Sequence, residues 1–223
     1  MVIIVDLRLE AGLVPRTFSL PGLELTLDVV GRVEEFIGNP ENEYDIPCWA
    51  EVWPAAMALA AYLSTLELRE RKLLELGCGL GLPGLVAAVK GARVTFSDYH
   101  PEALELVSHN STRLGLRAGQ TTFHLGDWRR FSLVGQFDLV LASDIMYDPK
   151  LNPYLLDLFP RYLAPGGELL VSHPGRPDTL AALDALRRQY AWPETKEEIQ
   201  VTVDDPYFPR YKVLVHCFQR PGP

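Results

Sequence analysis

The chain has 223 residues, 48% of them hydrophobic, 10% aromatic and 22% charged, with a formal net charge of -8 and a pI near 5.1. That length suits one well-buried α/β domain and is short for two, and the balanced composition excludes a low-complexity or disordered chain outside the Arg220-Pro221-Gly222-Pro223 tail. The excess of carboxylates excludes nucleic acid as the natural partner: phosphates would be repelled, and no Lys/Arg run exceeds Arg129-Arg130 or Arg187-Arg188.

The three cysteines, Cys48, Cys78 and Cys217, show no C-x-x-C spacing, so neither a disulfide framework nor a zinc site is expected and a reducing, cytoplasmic setting is. His100, His109, His124, His173 and His216 are scattered without metal-ligand spacing. Of these, His173 alone falls on the edge of the sheet where chemistry is expected, which makes it a candidate general base. Val2-Ile3-Ile4-Val5 is far short of a signal-peptide core, and no stretch approaches the roughly 18 apolar residues of a membrane span, so no membrane partner is expected. The chain is read as a monomer.

In chain order, residues 17–34 alternate about a Pro21-Gly22 turn, with Leu23, Leu25, Leu27 and Val29 on one face and Glu24, Thr26 and Asp28 on the other, which predicts a β-hairpin. Residues 35–45 carry Glu35, Glu41, Glu43 and Asp45 around Tyr44 and predict a mobile loop. This extension, 1–45, precedes a main domain over 46–219 and a tail over 220–223. Trp49-Ala50-Glu51-Val52-Trp53-Pro54 leads into a helix over 55–64 whose first turn contains Pro54. From Lys72, strands and helices alternate: strand 72–76, helix to Lys90, strand 93–98, helix 101–114, strands 121–125 and 137–143, helix 152–162, a Gly166-Gly167 turn, strand 168–172 and helix 179–190. Two last strands, 197–203 and 211–218, flank residues 204–209. The expectation is an α/β fold: a Rossmann-like, doubly wound seven-stranded sheet, mainly parallel, closed by an antiparallel C-terminal strand and carrying a small N-terminal β-hairpin extension.

Lys72 to Gly84 reads strand, glycine-rich turn, helix, the shape of a nucleotide-binding first crossover. Two adenosine ligands fit it. Gly79-x-Gly81-x-x-Gly84 satisfies the dinucleotide fingerprint, and Asp98 follows Gly79 by 19 residues, near the spacing of a ribose-binding carboxylate. Read as Glu75-x-Gly77-x-Gly79-x-Gly81, the same residues resemble the first motif of class I S-adenosylmethionine-dependent methyltransferases. A pyrophosphate wants bare amides at a helix N-terminus, whereas a cationic sulfonium cofactor tolerates a nearby carboxylate, so Glu75 favours the methyl donor. Asp98, with Tyr99 after it, could accept hydrogen bonds from both ribose hydroxyls; Trp128, after Asp127, could cover the adenine. Asp144 and Tyr147 end the strand 137–143, on the edge where open α/β sheets do their chemistry. The structural alternatives are that Asp98 and Asp144 cap helices and that Trp128 and Tyr147 are core.

Together, Trp49-Ala50-Glu51-Val52-Trp53-Pro54, Glu75-Leu76-Gly77-Cys78-Gly79-Leu80-Gly81-Leu82, Asp127-Trp128 and Asp144-Ile145-Met146-Tyr147 resemble the family 16 seven-β-strand protein methyltransferases over roughly residues 45–175. The resemblance implies S-adenosylmethionine as cofactor, S-adenosylhomocysteine as product, and a protein lysine as acceptor. It implies cofactor contacts at Trp53, Glu75, Gly77, Cys78, Gly79, Gly81, Asp98, Tyr99, Asp127, Trp128 and Ser143. Asp144 and Tyr147 would serve catalysis, and Trp49, Glu51 and Tyr44 would line the acceptor's path. A small-molecule methyltransferase, an NAD oxidoreductase and a non-catalytic cofactor-binding module are the rival readings. A methyltransferase of adenine bases would want an Asn/Asp-Pro-Pro-aromatic run where this chain has Asp144-Ile145-Met146-Tyr147.

Overall fold

The computed structural model describes residues 12–33, 47–203, 207 and 209–222. The predicted loop over 35–45, with Tyr44, therefore lies outside the described residues, as does most of the connection over 204–209. Strands β1 (Leu13–Leu20) and β2 (Leu23–Val30) form the N-terminal hairpin, with Leu20 opposite Leu23 across the Pro21-Gly22 turn. Gly22 has φ +69, a left-handed conformation that glycine adopts without a Cβ clash.

The main domain runs α1 (Pro54–Ser64), β3 (Lys72–Leu76), α2 (Leu82–Val89), β4 (Arg93–Asp98), α3 (Pro101–Arg113), β5 (Thr121–Leu125), β6 (Phe137–Ser143), α4 (Asn152–Tyr162), β7 (Leu163–His173), α5 (Pro177–Tyr190), β8 (Glu194–Thr202) and β9 (Arg210–Gln219). Each of the five helices has proline in its first two positions, where a missing N–H costs nothing and the fixed φ already suits a helix. The seven-stranded sheet has the order β5-β4-β3-β6-β7-β9-β8. β3, β4, β5, β6 and β7 are parallel, and β9 inserts antiparallel between β7 and β8.

Both faces of the sheet are covered, as continuous apolar strands such as Leu139-Val140-Leu141-Ala142 require. On β3, Leu73 faces the layer of α1, α2, α3 and the hairpin, while Leu74 and Leu76 face the layer of α4 and α5. Each fully buried Leu or Phe contributes about 1.5–3 kcal/mol of transfer free energy. Alternation puts Glu75 on the Leu73 side, under α2, a point that decides its role below.

Several boundaries differ from expectation. The hairpin, expected over 17–34, spans Leu13–Val30, because the partly exposed Leu13-Val14-Pro15-Arg16 start of β1 carries no apolar alternation. The Gly166-Gly167 turn is absorbed into an eleven-residue β7 whose pairing with β6 shifts register between Phe137 and Leu139. β8 starts at Glu194, three residues before the predicted start at 197, because the edge strand's Glu194-Thr195-Lys196-Glu197-Glu198 is mostly exposed and lacks an apolar signal. The hairpin is tied to α3 by Asp28, which accepts from Arg113 (3.0 Å) and pairs with His109 Nε2 (2.8 Å). Its backbone also exchanges hydrogen bonds with the Asn110 side chain in both directions.

Candidate active site

The strand order reverses at β3, whose neighbours are β4 and β6, and ligands of open α/β sheets bind outside the carboxyl ends of strands at such a point. The glycine turn lies there. Gly77, Gly79 and Gly81 have φ of +59, +49 and +68. A Cβ on Gly77 would lie 2.9 Å from both Trp128 Cζ2 and Ile145 Cγ2, and one on Gly79 would lie 3.1 Å from the Trp49 carbonyl oxygen. The turn is pinned to β4 by Cys78 N–H donating to the Ser97 carbonyl (3.0 Å) and by Gly79 N–H donating to Asp98 Oδ2 (2.9 Å). Cys78 is buried, and burial pushes its thiol well up, so it serves packing and stays protonated.

Asp98 ends β4 with 7% of its surface exposed. Its Oδ1 accepts from His100 N (3.0 Å) and its Oδ2 from Gly79 N, and the Tyr99 backbone N–H adds a third donor to the carboxylate. The Tyr99 ring is half exposed and lies tilted at 55° beside His100, with ring centroids 4.0 Å apart. Burial raises the Asp98 carboxyl, and the backbone donors pull it back. Trp128 sits in the short 3-10 turn Trp128–Arg130 after β5, half-buried against Gly77. These residues fit the cofactor read from the sequence: a cradle that only glycine leaves open, a carboxylate at the end of the neighbouring strand for the ribose hydroxyls, and an indole beside Gly77 for a flat base.

Three predicted cofactor contacts stand elsewhere. Asp127 caps the Trp128–Arg130 turn through Arg129 N and grips the Arg129 guanidinium, which holds its carboxyl below the usual range. The Trp53 indole N–H is spent on the Cys48 carbonyl (2.8 Å), with the ring more than one-third exposed at the start of α1. Glu75 is 1% exposed and accepts from Gly84 N at 3.0 Å, behind the cradle. A Cβ at Gly84 would come within 2.4 Å of Glu75 Oε2 and of Phe96 Cε1, so the third glycine of the fingerprint lets α2 press onto this buried carboxyl. The sequence reading, in which the Glu75 charge faces the ligand, is thereby corrected.

Burial pushes the Glu75 carboxyl up from 4.5 to about 8. The folded chain therefore keeps a proton that the unfolded chain has released, so this group's stabilisation is whole below about 4.5 and lost as pH rises through 8. Thermal unfolding of wild type and Glu75→Gln at pH 5 and pH 7 checks this. The difference should move in favour of the Gln variant by about 2 kcal/mol between the two, or roughly 4–8 °C for a chain of this size.

At the end of β6, Ser143 pairs with Ser172 of β7, their hydroxyls 3.1 Å apart. Asp144 then adopts φ +50, its N–H donating to the Ser172 carbonyl (2.8 Å). Its buried carboxylate is gripped by a residue that the sequence reading did not single out: Arg176 donates Nε to Oδ1 (2.8 Å) and Nη2 to Oδ2 (2.9 Å). Burial raises the Asp144 carboxyl and Arg176 opposes the rise. Tyr147 is half exposed, and desolvation together with Cys48, Asp148, Asp98 and Asp144 pushes its phenol up to about 12, so it stays protonated and able to donate. Glu51 is exposed, whereas Trp49 is 7% exposed and packs its backbone against Gly79. Trp49 thus shapes the cradle from below and does not line an open channel.

His173 is no general base. It is fully buried; Nδ1 accepts from Gly175 N (3.0 Å) and Nε2 meets His216 Nε2 (3.0 Å). Since Nδ1 accepts, Nε2 carries the proton and donates to His216, whose Nδ1 in turn donates to Glu194 Oε1 (2.6 Å). Glu194 is clamped by Arg187, which holds its carboxyl down at about 2. Burial lowers both imidazoles, His173 to about 4, so this chain of hydrogen bonds stays neutral at the rings and fixes the turn that presents Arg176.

Comparison with known proteins gives a consistent picture. The model of a family described as lysine methyltransferase matches residues 39–182. EEF1A lysine methyltransferase 3 of Mus musculus is 35% identical over 129 residues, 55% of this chain and 54% of that protein. A histidine protein methyltransferase 1 homolog of Dictyostelium discoideum is 30% identical over 124 residues, 53% of this chain and 40% of that protein. The chain spans about half the length of the curated relatives it matches. The crystal structure of the N-methyltransferase NodS from Bradyrhizobium japonicum WM9 in complex with S-adenosylhomocysteine superposes with a TM-score of 0.61 at 20% identity, covering 85% of this chain and 96% of that one, a likeness of fold.

Proposed function

The chain belongs to the lysine methyltransferase family, whose model spans well over half of it, and from that premise we propose that it transfers a methyl group from S-adenosylmethionine to a lysine side chain of a protein. The observation that carries the proposal is that Asp144 and Tyr147 follow β6, next to β3 with its glycine cradle and two strands from Asp98 at the end of β4. When bound, the cofactor supplies an electrophilic methyl carbon on its sulfonium. Gly77, Gly79, Asp98 and Trp128 hold that group against the sheet edge, and holding two reactants in line is most of what a protein can contribute to such a step.

Lysine attacks only as the neutral amine. Its reference pKa is about 10.4 against about 3.9 for Asp, so a carboxylate is a poor final proton acceptor. Asp144 accordingly orients the amine by accepting its hydrogen bond, and the proton leaves to water. The Tyr147 ring offers a wall for the alkyl chain and its cation. The acidic surface suits a basic protein substrate, and three free thiols suit a reducing, cytoplasmic setting.

A histidine acceptor is the second reading, favoured by the name of the Dictyostelium relative. Incubation with radiolabelled methyl donor and a cell extract, followed by gel separation and hydrolysis of the labelled bands, tests both. Label in a protease-sensitive band that hydrolyses to methyl-lysine supports the proposal. Methyl-histidine in its place, or label confined to small molecules, overturns it.

A further inference from the structure

We propose that Arg176 is a positioning residue of the transfer step: it cancels the charge of Asp144, so that the acceptor amine meets a fixed hydrogen-bond acceptor and not a net anion. The inference rests on the lysine reading above. An uncompensated carboxylate at this point would work against the reaction, because it would bind the acceptor most tightly as ammonium, the form that cannot attack. It would also be inclined to take up a proton itself, being 5% exposed at the side chain. A guanidinium locked on both of its oxygens removes both tendencies and leaves each oxygen one further acceptor position.

The pair is built. Gly175, at φ +96, turns the chain after β7 so that Arg176 caps α5 over the end of β6. His173 fixes that turn through Gly175 N, and His216 and Glu194 fix His173. Arg176 is 42% exposed at the side chain against 5% for Asp144, so the guanidinium reaches solvent while the carboxylate is buried. Among the described residues, the other titratable groups around the pair are Cys48 and Glu51 from the segment before α1, Tyr147 and Asp148 after β6, and Asp98 at the end of β4. Apart from Arg176 every one of them is neutral or acidic, so none replaces its charge.

The test uses the full chain with tritiated S-adenosylmethionine and a cell extract as acceptor, following initial rates of lysine labelling from pH 6 to pH 10. In the wild type the rate rises with pH as the acceptor loses its proton. In Arg176→Gln the rise should move up by about 1 pH unit, giving about tenfold slower labelling at pH 7. Arg176→Lys keeps the charge and loses the planar fork, so its midpoint should return to the wild-type value while its rate stays lower. Binding of S-adenosylhomocysteine within threefold of wild type reports that each variant is folded. An Arg176→Gln profile lowered equally at every pH overturns the inference, as does an Arg176→Lys midpoint displaced by about 1 unit. A wild-type chain that labels no lysine overturns the proposed function and the inference with it, whereas lysine labelling with unshifted profiles sinks the inference alone.

Discussion

Asp98→Ala lowers the affinity for S-adenosylhomocysteine by at least about 100-fold, or about 3 kcal/mol, in a calorimetric titration. The size follows from what this carboxylate does twice. It holds the glycine turn through Gly79 N and the start of α3 through His100 N, both at hydrogen-bond distance, from a position 7% exposed. It is also placed to accept from a ribose hydroxyl, and a hydrogen bond to a charged group is worth about 1.5–3 kcal/mol. Asp98→Asn keeps an acceptor oxygen on one backbone donor and should lose about tenfold. Binding of the Ala variant within threefold of wild type would remove Asp98 from the ligand face.

Asp144→Asn leaves S-adenosylhomocysteine affinity within about threefold of wild type and lowers kcat by at least about 100-fold, a typical loss when a reactant is no longer held in line. Asparagine is the fitting probe because it tolerates the left-handed backbone that Asp144 adopts at φ +50, so the turn after β6 survives. What changes is the carboxylate: its charge is lost, and one of the two oxygens held by Arg176 becomes an N–H donor, which weakens that grip and sets a donor where the nucleophile's lone pair must stay free. If cofactor affinity collapses together with kcat, Asp144 belongs to the methyl-donor side and the proposed division of labour fails.

The fold was legible because its signals are local. The central parallel strands β3 and β6 are short apolar runs, each helix opens with proline, and the alternation of strand and helix predicts a doubly wound sheet without further knowledge. The beginning of β8 was not legible, since Glu194 to Glu198 carry polar side chains whose strand character comes only from pairing with β9. In the site, the glycine turn follows β3, Asp98 ends β4, Trp128 follows β5 and Asp144 follows β6. Glu75 is the instructive failure: its position in the motif is right, but alternation along β3 turns its side chain under α2. Arg176 was invisible for a different reason. It lies 32 residues from Asp144 in sequence, and the two meet only because β6 and β7 pair in register at Ser143 and Ser172. The isolated Gly175-Arg176-Pro177 after a strand was the available sign, and it says nothing of a partner.

The hydrogen-bonded line from Glu194 through His216 and His173 to Gly175 crosses from the antiparallel margin of the sheet to the reactive edge. Residues 39–182 carry the shared family pattern, yet His216 and Glu194, which steady the turn before Arg176, lie beyond them. A turn inside the matched span is thus steadied by side chains that lie outside it. Substitution in the last two strands offers a descendant of this protein a way to retune the acidity at which its site works while every residue that meets either reactant is left unchanged.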